Sequence, residues 1–130
     1  MCSEINRHKN GTEWRNFYGR FKGKSLSPAQ SEALLTQYEK YSLENISWDE
    51  NPQRKKIKLS EIFREKSVWL EIGFGGGEHL IHQAKLNPDI GFIGCEPYQN
   101  GVAKLMGKLS ANPCQNIKLY DGDVRNIFDV

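Results

Sequence analysis

Glu71 is followed at two-residue steps by Gly73, Gly75 and Gly77, with a further glycine at Gly76. Two more acids stand downstream at Glu96 and Asp123. Glycines packed this closely leave the backbone bare, so a ligand can lie against peptide groups that a side chain would otherwise shield. Carboxylates accept hydrogen bonds from hydroxyl and amino groups and favour positive charge. Together they describe a pocket for a polar ligand with hydroxyl and amino donors. Any one of the three acids could instead cap a following helix. It is the recurrence of an acid with the glycines that points to a ligand.

The loop chemistry narrows the choice. A dinucleotide site needs G-x-G-x-x-G/A, so that a pyrophosphate can sit on the helix N-terminus. Here Gly73-x-Gly75-x-x leads to Glu78, an acid that would crowd and repel a pyrophosphate. No Lys or Arg lies within the loop, and there is no G-K-[ST] P-loop. A ligand without phosphates, carrying positive charge, fits better. S-adenosyl-L-methionine is one. Its ammonium and sulfonium suit an acidic pocket, and its ribose diol suits a bidentate acceptor such as Glu96. Its adenine amino group can donate to Asp123, and its amino-acid moiety can lie along Gly73, Gly75 and Gly77.

Those residues need elements that bring them together. Val68–Ile72 reads as a short apolar strand that runs into the glycines, and Gly77–Leu86 as a helix with Leu80, Ile81 and Ala84 on one face. Gly91–Cys95 is a second strand. Asn100–Leu109 is a second helix with Val102, Leu105, Met106 and Leu109 inward. Ile117–Tyr120 is a third strand, and Val124 opens a third helix. Strand–helix alternation at this interval means βαβ units and a parallel sheet. Such sheets bind ligands at the carboxyl ends of their strands, where all three acids fall. Trp69, on a strand taken as buried, is assigned to the core. Upstream, Ser27-Pro28-Ala29-Gln30 is a capping-box helix start. The helix is expected over 28–42, with Leu34, Leu35, Tyr38 and Tyr41 recurring at helical spacing. Ser60 is a candidate cap for a short turn through Phe63.

The 130 residues suffice for one domain. The longest apolar runs are too short to cross a bilayer, and the polar start MCSEINRHKN is no secretory signal, so a cytoplasmic protein is expected. The odd set Cys2, Cys95 and Cys114 has no C-x-x-C pair and suggests neither a disulfide framework nor a zinc site. His79 and His82 beside Glu78 are weak evidence for a metal, and none is expected. The net charge is only +2, but residues 1–24 hold six Lys or Arg against two acids, and residues 51–66 again six against two. Basic segments of this kind suit an anionic partner, nucleic acid being the commonest. In the first block, Phe17-Tyr18-Gly19-Arg20-Phe21-Lys22-Gly23-Lys24 alternates aromatics with cations among glycines. Cations can neutralise phosphates, and aromatics can stack on bases. A solvated tail would show the same charge.

The stretches VWLEIGFGGGEHL (68–80), NPDIGFIGCEPYQNGVAKL (87–105) and YDGDVRN (120–126) resemble the bacterial tRNA (guanine-N(7)-)-methyltransferases. FYGRFKGKSLSPAQ (17–30) is similar to that family's N-terminal segment. The resemblance implies a Rossmann-like class I methyltransferase fold, α/β, with about three parallel strands of its sheet in this chain. It implies S-adenosylmethionine as methyl donor and a guanosine of the tRNA variable loop as substrate, giving 7-methylguanosine. By position, Glu71, Glu96 and Asp123 match the family's cofactor-binding acids. Arg15, Arg20, Lys22 and Lys24 fall in the arm that would hold tRNA, although Phe21 stands where a basic residue is expected.

On this reading, residues 1–26 are a basic flexible arm, 27–66 a helix and linker, and 67–130 the N-terminal half of the methyltransferase domain. The family's Asp-Pro-Trp-Pro type motif, which carries the catalytic acid, does not occur in this sequence. No catalytic residue is therefore assigned here; the acid is expected downstream of Val130, and the chain alone is expected to transfer no methyl group. In the family's strand order the first strand would have a fourth beside it, so here it is expected to be an exposed apolar edge. The oligomeric state is left open. Two rivals remain: a methyltransferase of the same fold acting on another substrate, and a binding protein or inactive remnant that keeps affinity for the cofactor or for RNA.

Overall fold

The computed structural model describes residues 23–64 and 67–130. In chain order these form α1 (Pro28–Tyr41), α2 (Leu59–Ile62), β1 (Ser67–Ile72), α3 (Glu78–Leu86), β2 (Ile90–Cys95), α4 (Gln99–Ala111), β3 (Ile117–Tyr120) and α5 (Arg125–Phe128). The three strands are parallel in the order β1-β2-β3. This is the α/β arrangement with three parallel strands expected from the alternation of patterns.

The start of α1 follows from its sequence. The Ser27 hydroxyl accepts from the Gln30 amide at 3.1 Å, the Gln30 side chain accepts from the Ser27 amide at 3.0 Å, and Pro28 occupies the first turn. Ala33 and Tyr41 are buried, with Leu34 and Tyr38 packed beside them, and α1 lies along α4. Leu35 is 83% exposed. It falls off the Leu34–Tyr38–Tyr41 stripe, whose four- and three-residue steps keep one face toward α4. Ser60 does not cap α2, whose N-cap is Lys58 with no side-chain bond.

Strand alternation divides the core between two faces. Phe92, Ile117 and Leu119 point to one side, where α1, α3 and α4 bring Tyr41, Leu80, Ala84, Leu105, Met106 and Leu109. Ile93, Cys95 and Tyr120 point to the other, covered by Leu43, Ile46 and Phe63 with Val124 and Ile127. Residues 27–63 thus supply core to both faces. Arg54 closes the second side. Its guanidinium donates to the carbonyls of Ile46 at 2.6 Å and Asn126 at 2.5 Å, and stacks 4.5 Å over Trp48.

β1 departs from the reading of a buried strand. Among the described residues it pairs only with β2, and Trp69 is 49% exposed against an edge-on contact with Phe92 at 5.7 Å. Leu70 and Ile72, on the opposite face, are also exposed. Trp69 is therefore not a core residue, because an edge strand buries only what its single neighbour and one layer can cover. The exposed apolar edge itself is as expected. The far edge of β3 is occupied by the Ser42–Leu119 bridge, where the Leu43 amide donates to Leu119 at 2.7 Å.

Candidate functional site

The parallel register sets Ile72 level with Cys95, and Cys95 level with Tyr120. Glu71, Glu96 and Asp123 therefore lie at one carboxyl edge of the sheet, where ligands of open α/β sheets bind. Between them the chain leaves β1 through Gly73, whose amide donates to Cys95 at 2.7 Å, and turns tightly, with the Gly77 amide on the Phe74 carbonyl at 2.9 Å. Phe74 is buried and anchors this loop in the core. β2 makes room for it: a Cβ on Gly94 would lie 2.9 Å from the Phe74 ring. Sequence patterning passed over Phe74, although a single aromatic among four glycines is the signal of an anchor.

Gly73 and Gly75 have φ of +72° and +59°, and nothing lies within 4 Å of where either Cβ would stand. That is a left-handed backbone facing open space, a cradle that side chains would both strain and fill. Glu96 borders it. Burial raises its carboxyl above the usual range, partly offset by a hydrogen bond from the Gly75 backbone. Glu71 is engaged by His79 on α3, with Nδ1 2.8 Å from Oε1. Asp123 is held by one residue: it accepts from the Arg125 amide at 2.9 Å and pairs with the Arg125 guanidinium through Nε at 2.9 and 3.0 Å. The N-cap of α5 is Val124, without a side-chain bond, and Arg125 orients the Asp123 carboxylate.

Tyr38, Asn100 and Lys108 were not assigned to the site from sequence. Tyr38, on α1, bonds to Asp121 at the end of β3; burial, then the Asp121 charge, pushes its phenol far above its ordinary value. Asn100, in the first turn of α4, accepts from the Gly23 amide at 2.9 Å and donates to the Lys24 carbonyl at 2.5 Å. Tyr98 lies against Gly23. The base of the arm is thus pinned at the same sheet edge, and Lys24 is exposed there. The other candidate arm cations, Arg15, Arg20 and Lys22, lie outside the described residues. Lys108 of α4 reaches the glycine loop and holds Glu78. The Glu78 carboxylate is therefore paired, and the case against a pyrophosphate rests on spacing rather than on its charge.

The arrangement fits a cofactor with a polar tail for the glycine backbone and hydroxyls for Glu96. Among the described residues no group of three or more His, Cys, Asp or Glu is placed to hold a metal ion, and no helix is long and apolar enough to cross a membrane.

Comparison with known proteins gives the chemistry a class. Residues 65–130 match the model of a family described as "Putative methyltransferase". The chain is 52% identical over 124 residues to a tRNA (guanine-N(7)-)-methyltransferase of Ruegeria sp. (strain TM1040), covering 95% of this chain and 49% of the relative. It is 51% identical over 120 residues to the protein of that name from Cereibacter sphaeroides, covering 92% and 50%. The chain spans about half the length of these curated relatives. A solved structure titled "Structure of an Antibiotic Related Methyltransferase" superposes with a TM-score of 0.48 at 18% identity, over 58% of this chain and 44% of that one; so partial an overlap carries no weight.

Proposed function

The chain belongs to this methyltransferase family, and from that premise we propose that it binds S-adenosylmethionine and serves the methylation of guanosine N7 in tRNA. The observation that carries the reading is the open glycine cradle flanked by Glu96 at the edge that also holds Glu71 and Asp123. The names of the relatives support the tRNA substrate.

When bound, the cofactor supplies an electrophilic methyl group on a sulfonium. The residues of this chain bind and orient it. The backbone of Gly73–Gly77 receives the amino-acid arm, and Glu71 faces its ammonium. Glu96 accepts from the ribose hydroxyls. Asp123, oriented by Arg125, accepts from the adenine amino group. The guanine N7 lone pair is nucleophilic without deprotonation, so placement and electrostatics matter more than a strong base. No residue of this chain is assigned to orient the guanine. Arg15, Arg20, Lys22 and Lys24 contribute phosphate contacts.

The test is calorimetric titration of the chain with S-adenosylmethionine, followed by incubation with bulk tRNA. We expect weak cofactor binding that Glu96→Ala abolishes, and no methyl transfer by the chain alone. Unchanged affinity in Glu96→Ala refutes the ribose role. Methylation of tRNA by the chain refutes the expectation that these residues carry no catalytic acid.

A further inference from the structure

α4 meets the glycine loop along one stripe of residues. Gly101, Lys104, Leu105 and Lys108 are spaced three, four and seven apart from the first, the spacing that keeps side chains on a single helix face. In its first turn, Gly101 lies against the Gly75 carbonyl, and further along Leu105 lies against Gly77. In its last turn, Lys108 Nζ donates to the Gly76 carbonyl at 2.9 Å and to Glu78 Oε1 at 2.5 Å. The helix that makes these contacts is itself fixed, because Val102, Leu105, Met106 and Leu109 are buried in the core.

We propose that Lys108 is a positioning residue: its ammonium braces the Gly76 carbonyl and Glu78, holding the glycine loop in the shape that receives the cofactor's amino-acid arm. This deepens the S-adenosylmethionine reading and rests on it. The physical need is plain. Glycine loses more conformational freedom on ordering than any other residue, and a loop with four of them that ordered only on binding would lose affinity accordingly. A charge-assisted bond is the stronger kind, and it comes from an element that the core already holds. The Glu78 carboxyl lies below its usual range, chiefly because of the Lys108 hydrogen bond, as a working brace requires. Glu78 also opens α3, where a negative charge favours the helix start.

The test compares the wild-type chain with Lys108→Met and Lys108→Arg. Binding of S-adenosylhomocysteine and of adenosine is measured by calorimetry, and hydrogen exchange of the residue 75–78 amides is measured without ligand. We expect Lys108→Met to weaken S-adenosylhomocysteine about tenfold, the scale of one charge-assisted bond, with adenosine unchanged. Lys108→Arg restores most of the affinity, and the loop amides exchange faster in Lys108→Met. Unchanged homocysteine-ligand affinity with unchanged exchange overturns the brace. Equal loss on both ligands overturns its assignment to the amino-acid arm. A wild-type chain that binds neither ligand refutes the cofactor reading instead, and the exchange comparison then decides by itself whether Lys108 holds the loop.

Discussion

The carbonyl oxygen of Gly75 stands so close to Gly101 that a Cβ on Gly101 would lie 2.4 Å from it. A glycine of α4 is thus packed directly against the backbone of the loop. Gly101 has no room for a side chain toward the loop, and the obstacle is the Gly75 backbone.

Gly101→Ala tests that relationship. In an unobstructed helix the change would stabilise by about 1 kcal/mol. Here the methyl meets a carbonyl oxygen that cannot swing away, and overpacking of that kind costs about 1–3 kcal/mol. The net expectation is a loss of stability, seen as a lower urea midpoint with unchanged slope. A raised midpoint would show that the loop yields freely.

Glu96→Gln separates function from stability. Burial raises the Glu96 carboxyl in the folded protein, so the folded state holds its proton more tightly than the unfolded chain does. Stability contributed by that group is therefore present at low pH and is lost as pH rises through the folded pKa. The neutral amide escapes this loss. Glu96→Gln is expected to be more stable than the parent at pH 7, with the difference fading as pH falls to about 4, the ordinary carboxylate range. Denaturation at both pH values checks it.

The two described cysteines should be inert. Cys95 is buried, and its thiol is pushed up to about 12 by burial first and by the charges of Asp123, Glu96 and Asp121 after it. It donates to the Gly122 carbonyl at 3.2 Å. Cys114 is buried and also raised. Iodoacetamide at pH 8 is expected to leave both unmodified until denaturant is added, as read by peptide mapping. Since the folded state keeps the Cys95 proton, its contribution to stability is full below pH 9, its ordinary value, and lost as pH rises toward 12.

Asn116 is a buried staple. Its amide nitrogen donates to the carbonyls of Ala84 at 3.0 Å, Asn87 at 3.2 Å and Ile90 at 2.9 Å, joining the end of α3 to the start of β2. Asn116→Leu leaves those carbonyls without their donor and is expected to cost about 2–3 kcal/mol in denaturant unfolding. Asn116→Asp turns a carboxylate toward the same carbonyls and should be worse. Equal stability of parent and both variants would remove the staple.

Among the described residues β1 pairs on one side only, with Ile72 59% and Trp69 49% exposed. Such edges pair with other chains. The chain is expected to self-associate with rising concentration, and Ile72→Lys to suppress that in sedimentation runs. A monomeric parent at high concentration would contradict it.

Periodicity and glycine placement are local properties, and they were legible before any coordinates. β3 falls on Ile117–Tyr120 as expected, β1, β2 and α3 lie within a residue of their expected bounds, and α4 runs on by two residues. The capping box at Ser27 is equally local, because its groups lie three residues apart. The three acids could be placed at one edge because a parallel sheet stacks strand ends level. Methyltransferase membership was legible too, since the glycine stretch is longer and more specific than a generic fingerprint.

Other features depended on partners distant in sequence. Burial of β1 depends on how many neighbours a strand has, which its own residues do not encode, and so Trp69 was misplaced. Asp123 looks like any acid after a strand until Arg125 is seen folded back onto it. Lys108 reads as a solvated lysine at a helix end, and only the packing of α4 on the loop, 30 residues away from Glu78, makes it a brace. The sequence by itself determined the elements, their order and the presence of acids at the strand ends, because short-range patterns specify these. The tertiary structure decided which charges are paired, which glycines face open space and which side chains of the edge strand stay exposed, because each depends on a group that only folding brings within reach.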